Sequence, residues 1–364
     1  MATHYLYGTV LTGEAVAANN RGENIGNTTT LQKVFHHDDL HTSVSAEAIR
    51  FALRYRFQLG DPTSVNRSYN GAEGKLSYKN EKRTNWDPEK APYIDDDLMG
   101  FMDAVAASKE REAEDDSTAV SATPETGDVD GSPATETVTE VAPVVPKSGG
   151  AKEGRGGARR AKPKGTTTKR PSPLAVGRAV SLRPYRGEIS FNSVSGAKEK
   201  GKLSLYSAEM HTTEYQYSFG LNLCDVVNKK NIADLVEAIV DPPSVAGNHS
   251  RFAYDFSPAS IVLRVTNAHS SRIQNCFEHD EASRSYSVRR LIDRVKSGDV
   301  PANELIIGGE LVSTPEGAEL KALNVEVHAG VVAAANAARA RIAELTAEYK
   351  DVATKSPPVE GATK

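Results

Sequence analysis

Two short stretches carry enough ligand-type side chains to suggest phosphodiester chemistry. "HHDDLH" supplies His36, His37, Asp38, Asp39 and His41, and "YIDDDLMG" supplies Asp95, Asp96 and Asp97. Metal-assisted cleavage of a phosphodiester needs several carboxylates or imidazoles converging on one ion. Neighbouring residues of an extended segment point to opposite sides and do not converge. Neither stretch has a ligand spacing such as HExxH, and no P-loop, GxSxG elbow or Cys–His nucleophile signature occurs. The plainer reading is solvated turns and helix-leading acids. No catalytic residue, metal ligand or cofactor is assigned, and a non-catalytic protein is expected.

Nucleic-acid binding is better served. "HTSVSAEAIRFALRYRF" (41–57) opens with Thr42, Ser43 and Ser45 and continues with Arg50 and Arg54 at i and i+4. Free N–H groups at a helix start, with hydroxyls beside them, make a seat for phosphate. Arginines one and two turns further on hold neighbouring phosphates through forked donors. "NNRGE" (19–23) adds Asn20 and Arg21, and "GNHSRF" (247–252) adds Asn248 and Arg251 just before a strand. The competing reading of each group is ordinary capping and surface ion pairing.

The elements that would position these groups follow from periodicity. "HYLYGTVLTGEAV" (4–16) reads as a strand, and "AANNRGENIGNTTTLQKVF" as a loop with Gly22 and Gly26. A helix is expected over about 44–58, with Ile49, Ala52 and Leu53 as its core stripe and Arg50 and Arg54 on the flank. "KLSYKNEKRTNW" suggests a short hairpin. Tyr215, Tyr217 and Phe219 alternate as in a strand that faces a core, although aromatics so placed also stack bases on RNA-binding sheets. "NIADLVEAIVDPP" is a helix stopped by two prolines. "NHSRFAYDFSPASIVLRVTN" suggests a strand pair, and an Ala-rich helix runs from about Val327 to Tyr349. Strand, helix, strands, helix, strand is the order of a ferredoxin-like βαββαβ core, so an α+β fold is expected. The basic–Gly–aromatic RRM consensus is absent.

The chain has 364 residues and a formal charge of −4. That balance conceals two opposite blocks. Asp103–Pro146 holds eleven acids and two bases, and Lys147–Arg170 nine bases and one acid. Residues 104–172 contain almost no aromatics and are dominated by Ala, Glu, Thr, Pro, Gly, Lys and Arg, too little apolar surface to offset chain entropy, and disorder is expected there. The expected divisions are 1–103, the 104–172 insertion, 173–265, a helical part over 266–350, and a tail, 351–364. Only two cysteines occur, Cys224 and Cys276, which excludes a disulfide framework and fits a reducing cytoplasm. No run approaches the roughly 20 apolar residues of a membrane span.

Five motifs occur in order: "NNRGENIGNTTTLQKVF", "HTSVSAEAIRFALRYRF", "YIDDDLMGFM", "SPLAVGRAVSLRPY" and "LYSAEMHTTEYQYSFGLNL". In these the chain resembles the DevR-type backbone subunits of type I CRISPR surveillance complexes (Cascade), over most of 4–265 apart from the insertion. The resemblance implies a modified RRM-like palm with finger and thumb insertions. It implies copies stacked head to tail along a guide crRNA, other Cascade subunits as partners, and target DNA reached through the guide. It places RNA contacts at Ser43, Ser45, Arg50 and Arg54 of the helix, at Asn20 and Arg21 before it, and at Asn248 and Arg251. Phosphate contacts would make such binding independent of sequence, with base pairing left to the guide. Two rivals remain at this level. One is a metal-dependent endoribonuclease of a type III-like CRISPR effector, using Asp95–Asp97 or the HHDDLH loop. The other is a DNA-binding regulator, for which no helix-turn-helix pattern is present.

Overall fold

A computed structural model describes residues 3–18, 21–36, 38–81, 93–104, 167–193, 205–246, 254–280 and 285–353. The chain opens with β1 (Tyr5–Thr12) and β2 (Ala15–Ala17). Two hairpins follow, β3 (Arg21–Ile25) with β4 (Thr28–Leu31), and β5 (Lys33–His36) with β6 (Asp39–Val44), which leads into α1 (Ala46–Gly60). A small hairpin, β7 (Arg67–Asn70) and β8 (Lys75–Tyr78), precedes α2 (Ile94–Met99) and β9 (Phe101–Ala104). After the insertion come β10 (Thr167–Arg170), β11 (Leu174–Val176), β12 (Ala179–Ser181), β13 (Glu188–Ser193), β14 (Leu205–Thr213), β15 (Tyr215–Asn222) and α3 (Lys230–Val240). The last part is β16 (Pro258–Thr266), β17 (Glu278–Asp280), β18 (Ser285–Ser287), α4 (Arg289–Lys296), β19 (Leu305–Gly309), α5 (Pro315–Ala322), β20 (Glu326–His328) and α6 (Val331–Ala353). Among the described residues none of these helices is long and apolar enough to cross a membrane.

The fold is a mixed α/β one built on a nine-stranded sheet. β1 lies at its centre, antiparallel to β15 on one side and β16 on the other. β11 and β12 pair in turn with opposite ends of β15, and β12 passes the sheet on to β6 and β5. Beyond β16 the sheet continues antiparallel into β19 and then parallel into β20. A second sheet runs in the order β13, β14, β4, β3, with β2 also paired to β14.

Alternation along the strands separates two faces. On one face Leu6, Val10, Tyr217, Leu221, Ile261 and Leu263 pack under α1, α3 and α6, which bring Leu53, Leu235 and Ala338 among others into the same core. Gly8 of β1 lies opposite Phe219 across the strands, and a Cβ there would sit 2.3 Å from its ring. On the other face Leu11, Val262 and Ile307 pack with Ile273, Phe277 and the α4 and α5 side chains Leu291 and Leu320. That second layer covers the β1–β16–β19 part. Over β15, β12 and β6 the same face carries Gln216, Ser218, Val180 and Ser43, as the strand registers require.

Several expectations are corrected. The stretch 17–35 read as a loop contains β3, β4 and β5. β3 and β4 are mostly polar, and β5 turns Phe35 to solvent, so no apolar alternation signals them. The hairpin expected from Lys75 onward lies at Arg67–Tyr78; residues 82–86 of that stretch lie outside the described residues. Where a strand pair was expected around Phe252, Tyr254 and Phe256, only β16 forms among the described residues, and Tyr254 and Phe256 pack from irregular chain instead. α3 stops at Val240, as its prolines anticipate.

The chain divides into two compact units, Met1–Asp103 with Thr168–Lys364, and Ala104–Thr167. Most of the stretch expected to be disordered, 105–166, lies outside the described residues. Its C-terminal end does not fit the expectation, because β10 pairs with β9 and Arg170 Nη2 donates to Asp97 Oδ1 at 2.7 Å. Gly100, with φ of +64°, makes the turn between α2 and β9. A Cβ there would lie 2.4 Å from the Arg170 carbonyl.

Candidate nucleic-acid interface

α1 is set by its ends and its stripe. Ser45 is the N-cap, and its hydroxyl accepts from the Ala48 amide at 3.2 Å. Glu47 in the first turn suits the helix dipole. Ile49, Ala52, Leu53 and Phe57 are buried, one more residue than the expected stripe. The helix begins at Ala46 rather than 44, so Thr42 and Ser43 belong to β6 and not to the helix start. Thr42 is buried and shares its hydroxyl with His211 Nδ1 and Tyr215 OH, both at 2.8 Å. Ser43 is also buried, in register with Val180.

The arginine flank does not lie open. Arg50 donates through Nη2 to the Met99 carbonyl (2.8 Å) and through Nη1 to the Leu174 carbonyl (2.9 Å) and Ser172 Oγ (3.3 Å). It thereby ties α1 to the end of α2 and to the strand that resumes after the insertion. Arg54 is mostly buried, with Nε 3.9 Å from Asp95 Oδ2. Burial lowers its pKa to about 10, with Asp95 opposing that shift. Burial likewise lowers the pKa of Arg50. A flank facing a phosphate backbone was the expectation. In the folded chain these guanidiniums face protein carbonyls and a carboxylate, because α2 and β11 pack on that side.

The acidic run has an equally structural fate. Asp95 accepts from the Asn66 (2.8 Å) and Arg67 (3.0 Å) amides, and Asp96 from Asn66 Nδ2 (2.7 Å). Asp97 accepts from Arg170, from the Val227 (3.0 Å) and Asn228 (3.1 Å) amides that lead into α3, and from Asn231 Nδ2 (2.9 Å). All three are buried rather than solvated; Asp95 and Asp96 hold the segment at Asn66–Arg67, and Asp97 holds Arg170 and the start of α3. His36 and His41 meet ring to ring at 5.4 Å, and His41 Nδ1 lies 2.7 Å from the Ser181 carbonyl. No group of three metal-ligating side chains occurs among the described residues.

Tyr215, Tyr217 and Phe219 face the core, not a ligand. Arg21 begins β3, and its side chain lies outside the described residues, as do His37, Asn20, Asn248 and Arg251.

One residue missed by sequence reasoning is Arg178, inside the motif "SPLAVGRAVSLRPY". It is exposed, between β11 and β12. Its Nη1 lies 3.3 Å from Ser43 Oγ and 3.5 Å from Gln32 Oε1, and no carboxylate pairs with it among the described residues. Beside Ser43 and the α1 cap, the cation presented outward is therefore Arg178. The dipeptide Gly–Arg between two short strands was the available signal, since a bulge aims its side chain out of the sheet.

No family model matches the chain. A curated relative, CRISPR-associated protein Cas7/Cst2/DevR of Myxococcus xanthus (strain DK1622), is 34% identical over 347 residues, covering 93% of this chain and 97% of the relative. In fold the chain is similar to a chain of a CRISPR RNA-guided surveillance complex, pre-nicking. The TM-score is 0.52 at 11% identity, covering 93% of this chain and 100% of the other. A chain of another CRISPR RNA-guided surveillance complex gives a TM-score of 0.49 at 11% identity, covering 93% and 99%.

Proposed function

The chain belongs to the Cas7/Cst2/DevR family of CRISPR-associated proteins, and from that premise we propose that it is a non-catalytic, crRNA-binding backbone subunit of a type I interference complex (Cascade). In this reading copies stack head to tail along the spacer part of the guide and hold it open for pairing with target DNA, in the cytoplasm and beside the complex's other subunits. The observation that carries the reading is the 34% identity along 93% of the chain. A shared fold alone would not carry it, because one fold hosts many functions.

The topology supports an RRM-like palm. In chain order β1, α1, β11–β12, β15, α3 and β16 alternate as strand, helix, two strands, helix and strand. In space β16, β1, β15 and β11–β12 are neighbours in that order. Guide contact is assigned to the corner where β6 meets α1, with Arg178 presented outward and Ser43 and Ser45 beneath it. Arg50 and Arg54 then brace the corner from behind. A lack of cleavage is supported by the engagement of Asp95, Asp96 and Asp97 in the protein's own hydrogen bonds, which leaves little carboxylate lone-pair capacity for an ion.

Native mass spectrometry over a series of spacer lengths tests the assembly. A heterologous contact yields an open filament, so protein copies per guide should rise stepwise with length. One copy per RNA at every length, or a closed dimer, would remove the reading. With Mg²⁺ or Mn²⁺ the purified protein should not cut single-stranded RNA. Cleavage abolished by Asp95→Asn, Asp96→Asn or Asp97→Asn would favour the nuclease rival.

A further inference from the structure

Where the second helical layer ends, the sheet face opens into a cleft of about 740 Å³, within the roughly 300–1,000 Å³ of ordinary ligand sites. Val180 of β12 and Gln216 of β15 form its floor. His36 and His41 of the β5–β6 hairpin stand on one side. Arg272 and Asn275 of the loop after β16, with Arg290 and Arg294 of α4, stand on the other. Ser43 and Arg178 share this face, since Ser43 pairs with Val180 and Arg178 lies two residues before it. The cleft therefore continues from the corner assigned above.

The loop wall is held in an unfavourable backbone. Arg272 (φ +51°) and Asn275 (φ +49°) both lie in the left-handed region without being glycine, at a cost of about 1–3 kcal/mol each. The surrounding structure enforces this from below. Ile273 is fully buried and its carbonyl accepts from Thr9 Oγ1 at 2.7 Å. Arg264 Nη1 donates to the Ser270 (3.1 Å) and Ser271 (2.9 Å) carbonyls, and Arg294 Nη1 donates to that of Arg272. The effect is to leave Arg272, Gln274 and Asn275 exposed along the cleft. Strain maintained in this way presents side chains rather than packing them.

The wall's charge is available. Arg272 pairs with exposed Asp299 and Arg290 with Glu278, and such surface pairs contribute little. Arg294 has no carboxylate partner among the described residues. Gln216 is 7% exposed. Its Nε2 donates to the Phe277 carbonyl at 2.9 Å, while its Oε1 finds no partner among the described residues, and neither does the buried His279 Nδ1. A protein partner would want an apolar, aromatic centre. Beside Leu182 and Phe277, this lining offers three arginines against the two carboxylates of Asp39 and Glu278, with amides and imidazoles between them, which suits a sugar–phosphate chain with stacked bases.

We infer that this cleft is a second single-stranded RNA site. A short run of the guide lies in it, with its phosphates along Arg272, Arg290 and Arg294 and its bases over Val180 and Gln216. The inference rests on the guide-binding reading above. It is tested with guides carrying 4-thiouridine, by crosslink mapping, and with Arg272→Gly and Arg290→Ala. Glycine relieves the positive φ, so Arg272→Gly should melt at the wild-type temperature or higher while binding guide several-fold more weakly. Each lost phosphate contact should lower the log–log salt slope by ~0.7. Crosslinks should fall within 271–294 as well as near Arg178. Wild-type affinity and slope in both variants, with no crosslink in 271–294, would overturn the cleft site and leave guide binding standing. A wild-type protein that binds no guide would overturn both.

Discussion

Around α2, Arg50 and Arg170 donate into main-chain carbonyls and buried Asp97, and Arg54 lies in an ion pair with buried Asp95. Across the sheet, Arg178 and Arg294 have no carboxylate partner among the described residues, and the carboxylates of Arg272 and Arg290 sit at the surface. The side chain is the same in both regions and its environment is opposite. A buried guanidinium needs an acceptor or counter-charge within the protein, because an unpaired buried charge costs several kcal/mol. An exposed one is hydrated and can exchange water for phosphate. The α2 region is thus a brace and the open face a docking surface, although both read as "basic" in the sequence.

The strongest way to break this contrast is Asp97→Ala. It strips Arg170, two amides at the start of α3 and Asn231 of one shared acceptor, and should destabilise by about 3–5 kcal/mol, read by chemical denaturation. A loss under 1 kcal/mol would mean that the cluster braces nothing.

His211 of β14 is buried with its ring against Thr42, and His41, Arg183 and Glu214 lie near it. Burial first, helped by His41 and Arg183, lowers its pKa to about 4, with a hydrogen bond to the Pro184 backbone and then Glu214 opposing. Its unfolded value is about 6.5, so the unfolded chain binds the extra proton between those limits. This contribution is whole above pH 6.5 and fades as pH falls toward 4, on the order of 3 kcal/mol in all. His211→Gln should flatten the stability profile in that window; an unchanged profile would refute the assignment.

Arg50→Ala should cost about 1.5–3 kcal/mol, as expected for hydrogen bonds from a charged donor, yet leave the guide-binding salt slope unaltered. A lower slope with unchanged stability would return Arg50 to the interface. Arg178→Ala should behave in reverse. Stability should stay within about 0.5 kcal/mol, while the salt slope falls by ~0.7. Together these two variants sharpen the comparison most, since each changes only the quantity the other leaves alone.

Much of the architecture is legible in the residues. The α1 stripe, the stop of α3 before its prolines and the inward Tyr215–Tyr217–Phe219 row all follow from periodicity, which says which side chains share a face. The ordered motifs identify the family. The same periodicity does not say what a face meets. Arg50 and Arg54 lie on the predicted flank, but whether that flank meets phosphate or Met99, Leu174 and Asp95 depends on segments far away in sequence. Asp95, Asp96 and Asp97 look like one cluster in the chain, yet Asp95 and Asp96 turn to Asn66 and Arg67 while Asp97 turns to Arg170 and α3, because successive helical residues point in different directions. The polar strands β3 and β4 carry no apolar signature, being held by pairing at a sheet edge. The cleft appears only when β12, β15 and the loop over 271–279 come together. Local composition thus determined the elements and their inner faces. Only tertiary packing decided which charges are neutralised and which remain exposed, because desolvation depends on what lies opposite.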